Sequence, residues 1–297
     1  MIPKKRELSP CVTLYTVNTD KFKTETLSVS LVTPIDRELT PMSMLAMSTL
    51  KRGTEKYKTQ GELNRRLDEL YATGISMRCN RNGNYALIGF SAEMLSEEYT
   101  DRKTDVFGGT LETICQMLFC PLTDDNGDFL DKYFESEREF QIDTINSQIN
   151  NPRSYASLRC REIMFGDDIY GSSLIGTPKQ VRDFSKQQVM ERYKKLISEN
   201  GFEFFYVGQK SADEVENRIR DIFMKYVAGN KTSVAEPFSM GRRNGDVKRV
   251  DESMELAQGK LVLGFRTGVN IRSDDFFAML VANEIYGGSP VSKLFMN

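Results

Sequence analysis

The stretch Thr40-Pro41-Met42-Ser43-Met44-Leu45-Ala46-Met47-Ser48-Thr49-Leu50-Lys51-Arg52-Gly53-Thr54 reads as one helix with both ends marked. Threonine is a good cap, and proline suits the first helical position, where an amide has no partner. Gly53 stops the helix after about Lys51. Before it, Thr26 to Thr33 (Thr-Leu-Ser-Val-Ser-Leu-Val-Thr) alternates as a strand should, and Cys11 to Val17 looks similar. The chain is therefore expected to open with a strand pair. After it, Thr59 starts a second helix and Glu62 completes a capping box. Leu63, Leu67, Leu70 and Tyr71 fall on one face of that helix, and Gly74 closes it. Strands follow at Ile75–Cys79 and Tyr85–Ala92, joined by the turn-rich Asn80-Arg81-Asn82-Gly83-Asn84.

Farther along, helices are expected over Arg102–Phe119 and from Asp128 to about Asn150. Pro152 ends the second and opens another, whose buried face carries Tyr155, Leu158 and Ile163. Phe165-Gly166-Asp167-Asp168 is a loop. Ser185 begins a helix with Val189, Tyr193 and Leu196; Phe202–Val207 is an apolar strand. Ser211 with Glu214 caps a last helix bearing Val215, Ile219, Ile222 and Phe223. Strands, then helices, then a strand and a helix suit an α+β sandwich. Gly, Asn, Ser, Pro and Arg dominate the following stretch, so residues 1–228 are expected to be one α+β domain and 229–246 a linker. Residues 247–297 hold a strand at Lys260–Phe265 and a helix at Asp274–Ile285, too little to bury a core alone.

The 297 residues contain no histidine, which removes the Ser-His-Asp triad, the Cys-His pair and any histidine-bound zinc from the candidate chemistries. Net charge is −2 with acids and bases interleaved, as in Lys56-Tyr57-Lys58 and Glu97-Glu98, so nucleic acid is not an expected partner. No apolar run approaches the ~20 residues of a membrane span. Basic Lys4-Lys5-Arg6 is followed by Glu7, Ser9 and Pro10 rather than an apolar stretch, so the chain reads as cytoplasmic. Cys11, Cys79, Cys115, Cys120 and Cys160 form no Cys-x-x-Cys and read as reduced thiols.

Four further pieces stand in a fixed order: Leu50-Lys51-Arg52-Gly53-Thr54, Gly176-Thr177-Pro178, Tyr206-Val207-Gly208 and Tyr286-Gly287-Gly288-Ser289-Pro290-Val291-Ser292-Lys293-Leu294-Phe295. In that order and spacing they resemble the insulinase-like M16 zinc peptidase family over essentially the whole chain. Active members carry His-x-x-Glu-His on the first helix, two zinc ligands flanking a general base. Registered on Gly53-Thr54, the resemblance puts the first histidine at Met44, the glutamate at Met47 and the second histidine at Ser48. The family's third ligand, a glutamate after Arg138-Glu139, falls at Thr144 with Asp143 adjacent. Methionine is a soft, weak ligand and a hydroxyl a poor one for Zn²⁺. No catalytic residue, metal or cofactor is therefore expected, and Met44 and Met47 are expected to fill a helix face against the sheet.

Leu50 to Tyr57 and Leu67-Asp68-Glu69-Leu70-Tyr71 are similar to the non-catalytic YmfF-like branch, the type associated with EF-P 5-aminopentanol modification. The resemblance implies two homologous α+β halves, with residues 247–297 the start of the second. It also implies a non-catalytic subunit whose partner is an active M16 zinc peptidase paralogue, and a peptide captured as an added strand. The candidate edge for that strand is Gly74–Cys79, which departs from the Asn-Ala-x-Thr type of pattern in active members. The alternatives are a stand-alone peptide-binding scaffold, and a hydrolase using carboxylates such as Asp124-Asp125 with Asp128, or Asp167-Asp168, to hold a hard cation.

Overall fold

A computed structural model describes residues 3–166, 168–227 and 246–296. The chain divides into two units, residues 1–237 and 238–297. In the first, β1 (Lys4–Ser9), β2 (Val12–Asn18), β3 (Thr24–Pro34), β4 (Gly74–Asn82), β5 (Tyr85–Leu95) and β6 (Gly201–Gly208) form one sheet in the order β1-β2-β6-β3-β5-β4. β2 and β6 run parallel; every other pairing is antiparallel.

The alternation of β3 shows how sequence sets the buried face. Leu27, Val29 and Leu31 point inward and are at most 1% exposed, while Ser28 and Ser30 point out, with Ser28 hydrogen-bonded to Ser91 on β5 at 3.0 Å. Register carries this face across the sheet: Leu14 lies beside Phe204, Phe204 beside Val29, Val29 beside Phe90, and Phe90 beside Met77. Among the described residues, eight helices belong to this unit: α1 (Leu39–Thr49), α2 (Gln60–Glu69), α3 (Val106–Phe119), α4 (Asp131–Ser147), α5 (Pro152–Phe165), α6 (Pro178–Asp183), α7 (Lys186–Glu199) and α8 (Ala212–Ile222). Their apolar residues, among them Leu45, Leu111, Ile114, Val189, Leu196, Val215 and Ile219, close over the buried strand residues as one core. The fold is α+β, a mixed sheet with helices packed on it.

Two expectations about strands need correction. β2 and β3 are not neighbours, because β6 lies between them and pairs with both. Alternation specifies which face of a strand is buried, not which strand lies beside it. The charged Lys4–Ser9 segment also forms a strand, β1, at one edge of the sheet. Lysine at an edge is a common device for discouraging further pairing there.

The helices expected from Arg102 and Asp128 begin instead at Val106, capped by Asp105, and at Asp131. Other helix ends follow local chemistry, with three differences. Thr59 caps α2 by accepting from the Glu62 amide at 3.2 Å, but the Glu62 carboxylate returns to the Lys58 amide rather than to Thr59. Gly74 does not close α2; Tyr71 and Ala72 take the left-handed turn (φ 58° and 56°), and Gly74 begins β4. α1 begins one residue before Thr40, since Asp36 Oδ1 accepts from the amides of Glu38 and Leu39 at 2.8 and 2.7 Å. Full capping boxes form at Thr177/Gln180 and Ser185/Gln188. The expected loop at residues 80–84 shrinks to Gly83-Asn84, because Asn82 still pairs with Tyr85 and Gly83 adopts the positive φ (59°) that a tight hairpin uses.

The second unit is described by residues 246–296 and contains α9 (Phe276–Asn283), a π-helical turn at Glu284–Gly288 and α10 (Lys293–Met296). The expected strand at Lys260–Phe265 does not form, and Leu261 and Phe265 are 79% and 65% exposed. A lone extended segment has no ladder to join. The linker expected over residues 229–246 falls almost wholly outside the described residues.

Candidate functional site

α1 packs against α7, α4, β5 and β4, so its faces meet quite different surroundings. Met47 is turned into the core and is 0% exposed. Met44 and Ser48, one helical turn apart, form a half-buried strip. Thr144, on α4, is exposed, and its hydroxyl donates to its own helix at Phe140 O, 2.8 Å away. Asp143 is also exposed. Of the two methionines, Met47 therefore fills the core completely and Met44 only in part.

Protein side chains cross-link α1 to α4. The Gln141 amide of α4 donates to Pro41 O at 3.2 Å and to Ile175 O at 3.0 Å. Just beyond α1, Arg52 Nε donates to Glu137 Oε1 at 2.5 Å, and its other nitrogens reach Gln60 and Ser136. Glu137 is buried while Arg52 stays partly exposed, so the carboxylate end of the pair is the shielded one. Gly53 then lets the loop fold back, for a Cβ there would sit 3.0 Å from Lys58 O. On the α7 side, Arg192 Nε donates to Ser43 Oγ at 2.7 Å, and burial pushes its pKa down. The sequence marked Met44, Met47, Ser48 and Thr144 but gave no sign of the Gln141, Glu137 and Arg192 contacts.

β4 lies at the sheet edge opposite β1, and the expected Gly74–Cys79 segment forms most of it. Ile75, Met77 and Cys79 pack partly against the core; Ser76, Arg78 and Asn80 face away. Burial pushes the Cys79 thiol up to about 12, so it stays protonated near neutral pH.

Two of the carboxylates proposed for cations, Asp124 and Asp168, are otherwise engaged. Asp124 Oδ1 accepts from the amides of Asn126 and Asp128, and Lys186 Nζ bridges Asp124 and Asp131 at 2.8 and 2.7 Å. Asp168 Oδ1 accepts from the Tyr170 amide at 2.9 Å; Asp167 lies outside the described residues. Among the described residues no group of three or more His, Cys, Asp or Glu side chains is placed to share a metal ion. A cavity of about 640 Å³ opens beside the start of α1, walled by Ile145, Ile149, Tyr155 and Leu158. Its arginines are engaged: Arg37 donates to Gly166 O and Asp168 O, and Arg159 pairs with Glu162.

Residues 183–297 match the family described as peptidase M16 inactive domain. Over 290 residues and 96% of its length, the chain is 27% identical to the probable inactive metalloprotease YmfF of Bacillus subtilis (strain 168). The chain is thus similar to inactive M16-type peptidase homologues. The chain is also 21% identical over 197 residues to an uncharacterized zinc protease of Rickettsia bellii (strain RML369-C). It spans 66% and 46% of the lengths of these two relatives. Its fold is shared with a conserved protein from Enterococcus faecalis V583, at a TM-score of 0.81 and 21% identity over 100% of this chain and 69% of that one. A peptidase M16 inactive domain from Pseudomonas fluorescens shares the fold at a TM-score of 0.58 and 14% identity, over 79% of this chain and 53% of that one. No helix among the described residues is long and apolar enough to cross a membrane.

Proposed function

We propose that this chain is a non-catalytic subunit that joins an active M16 zinc peptidase paralogue in cytoplasmic peptide processing. The observation that carries the reading is Met47: the position that register assigns to the general base holds a thioether sealed in the core. With Met44, Ser48 and Thr144 at the ligand positions, neither metal nor activated water has a holder. The helices that would share the metal are joined instead by Gln141 and by the Arg52–Glu137 pair. The scaffold is kept while the chemistry is absent, which suits a subunit that completes a chamber or holds peptide at the β4 edge.

The test is co-expression of the whole protein with the His-x-x-Glu-His paralogue of the same genome. A defined complex by light scattering, cleaving a quenched peptide library faster than the paralogue alone, is the expected outcome. Separate elution with unchanged cleavage would overturn the subunit reading in favour of a stand-alone peptide-binding scaffold.

A further inference from the structure

The two edges of the sheet are built differently. β1 has six residues, carries Lys4, Lys5, Arg6 and Glu7, and is tied to α8 through Arg6, which reaches Asp213 and Glu216 at 2.6 and 2.8 Å. β4 has nine residues and, among the described residues, pairs only with β5, so the amides and carbonyls of its outer side can accept another strand. Its side chains alternate between faces, which sends Arg78 and Arg81, three residues apart, to opposite sides.

Among the described residues neither arginine forms an ion pair with a carboxylate. Arg78 is exposed and makes no ion pair among the described residues. Arg81 donates to two neutral carbonyls, Ile169 O at 3.4 Å and Ser172 O at 2.8 Å, and lies over the Tyr170 ring at 5.3 Å. Arg161 of α5 stands close enough for its charge to push the Arg81 pKa down further, after burial. Asp168 and Tyr170 oppose that push, but Asp168 Oδ1 already accepts from the Tyr170 amide. Arg161 Nε is buried with no hydrogen-bond partner among the described residues. A buried orphan donor is uncommon and costly, and a guanidinium offers a carboxylate a planar set of donors.

We propose that the β4 edge takes an extended acidic segment with two carboxylate side chains three residues apart, one meeting Arg81 and Arg161 on the helix side and the other meeting Arg78 on the opposite face. The inference rests on the reading of β4 as a peptide-capturing edge and adds the charge and spacing of what is captured. An odd spacing is required because neighbouring strand residues point to opposite faces, and acids two apart share one face. Main-chain pairing tolerates many sequences, so the arginines supply the selectivity.

The probe is a fluorescein-labelled Val/Thr peptide as long as the nine residues of β4, with glutamates three apart, read by fluorescence anisotropy on the whole protein. Its counterparts carry glutamines at the same places, glutamates two apart, or N-methyl groups on alternate amides. The glutamine and two-apart peptides are expected to bind roughly tenfold and several-fold more weakly, and the N-methylated one not at all. Arg161→Gln and Arg78→Gln should each weaken only the acidic peptide, with circular dichroism confirming the fold; exposed Arg78 carries the test if Arg161→Gln unfolds. Equal binding of glutamate and glutamine peptides would overturn the acidic preference. Equal binding of the N-methylated peptide, or no binding by any, would overturn strand capture. Complex formation with the active paralogue is scored separately, so failure here is distinguishable from failure of the subunit reading.

Discussion

Met47 and Met44 offer a matched pair for testing whether packing holds α1. They have the same side chain on the same helix, yet Met47 is 0% exposed within the core and Met44 is half-buried. Truncating a sealed methionine to alanine removes its transfer energy and leaves a cavity, about 2–5 kcal/mol in total. At Met44 solvent already reaches part of the side chain and no closed cavity forms, so the same change should cost about 1 kcal/mol. Met47→Glu, which restores the residue type of the family's base, should cost more than Met47→Ala because it buries an unpartnered carboxylate. Thr144→Glu, on an exposed surface, should stay within about 0.5 kcal/mol. The chain has no tryptophan, so urea unfolding of the whole protein is followed by far-UV circular dichroism. If Met44→Ala cost as much as Met47→Ala, or Met47→Ala cost less than about 1 kcal/mol, the account of α1 as a packed helix would be wrong.

Three further outcomes follow from the same geometry. Replacing Met44 and Ser48 together by histidine sets two imidazoles one turn apart on the half-buried strip, and should create Zn²⁺ binding in a calorimetric titration where the parent shows none; no gain would refute the shared strip. Arg52→Ala leaves the buried Glu137 carboxylate without its charged partner and should cost about 2–3 kcal/mol, discounted for the part-exposed arginine, whereas the Arg52→Ala/Glu137→Gln double variant should recover part of that loss in denaturant unfolding. Burial pushes the Glu25 carboxyl above its ordinary 4.5, against the pull of Lys210 and bonds with Tyr206, Ser96 and Gln209, so the folded chain takes up this proton at higher pH than the unfolded chain. Stability from this group is therefore gained as pH falls through the folded value and is fully present below about 4.5. Glu25→Gln should raise the melting temperature at neutral pH, with an advantage that shrinks toward pH 4; a constant difference would refute the assignment.

Much of the first unit was legible because its signals are local. The Thr59 and Ser185 caps, the alternation in β3 and the inward faces at Val189 and Leu196 each depend on residues within a turn or two. Strand order was not legible, since β6 enters between β2 and β3 from far along the chain. Left-handed Tyr71 and Ala72 stand where sequence favours Gly74, because surrounding contacts override the local preference. The α1 positions could be read by registering Gly53-Thr54, whereas Arg52–Glu137, 85 residues apart, and Arg81 beside Arg161 have no marker in the sequence.

The parallel pairing of β2 with β6 sets a schedule for how the molecule is made. Val12 must wait for Phe202, 190 positions later, before the middle of the sheet exists. At roughly 5–20 residues per second of synthesis, that delay is about 10–40 s. Throughout that interval the apolar rows of β2 and β3 are without the strand that joins them, and contacts so distant in sequence also close slowly once available. The nascent chain therefore keeps these apolar rows unjoined until Gly201–Gly208 clears the ribosome.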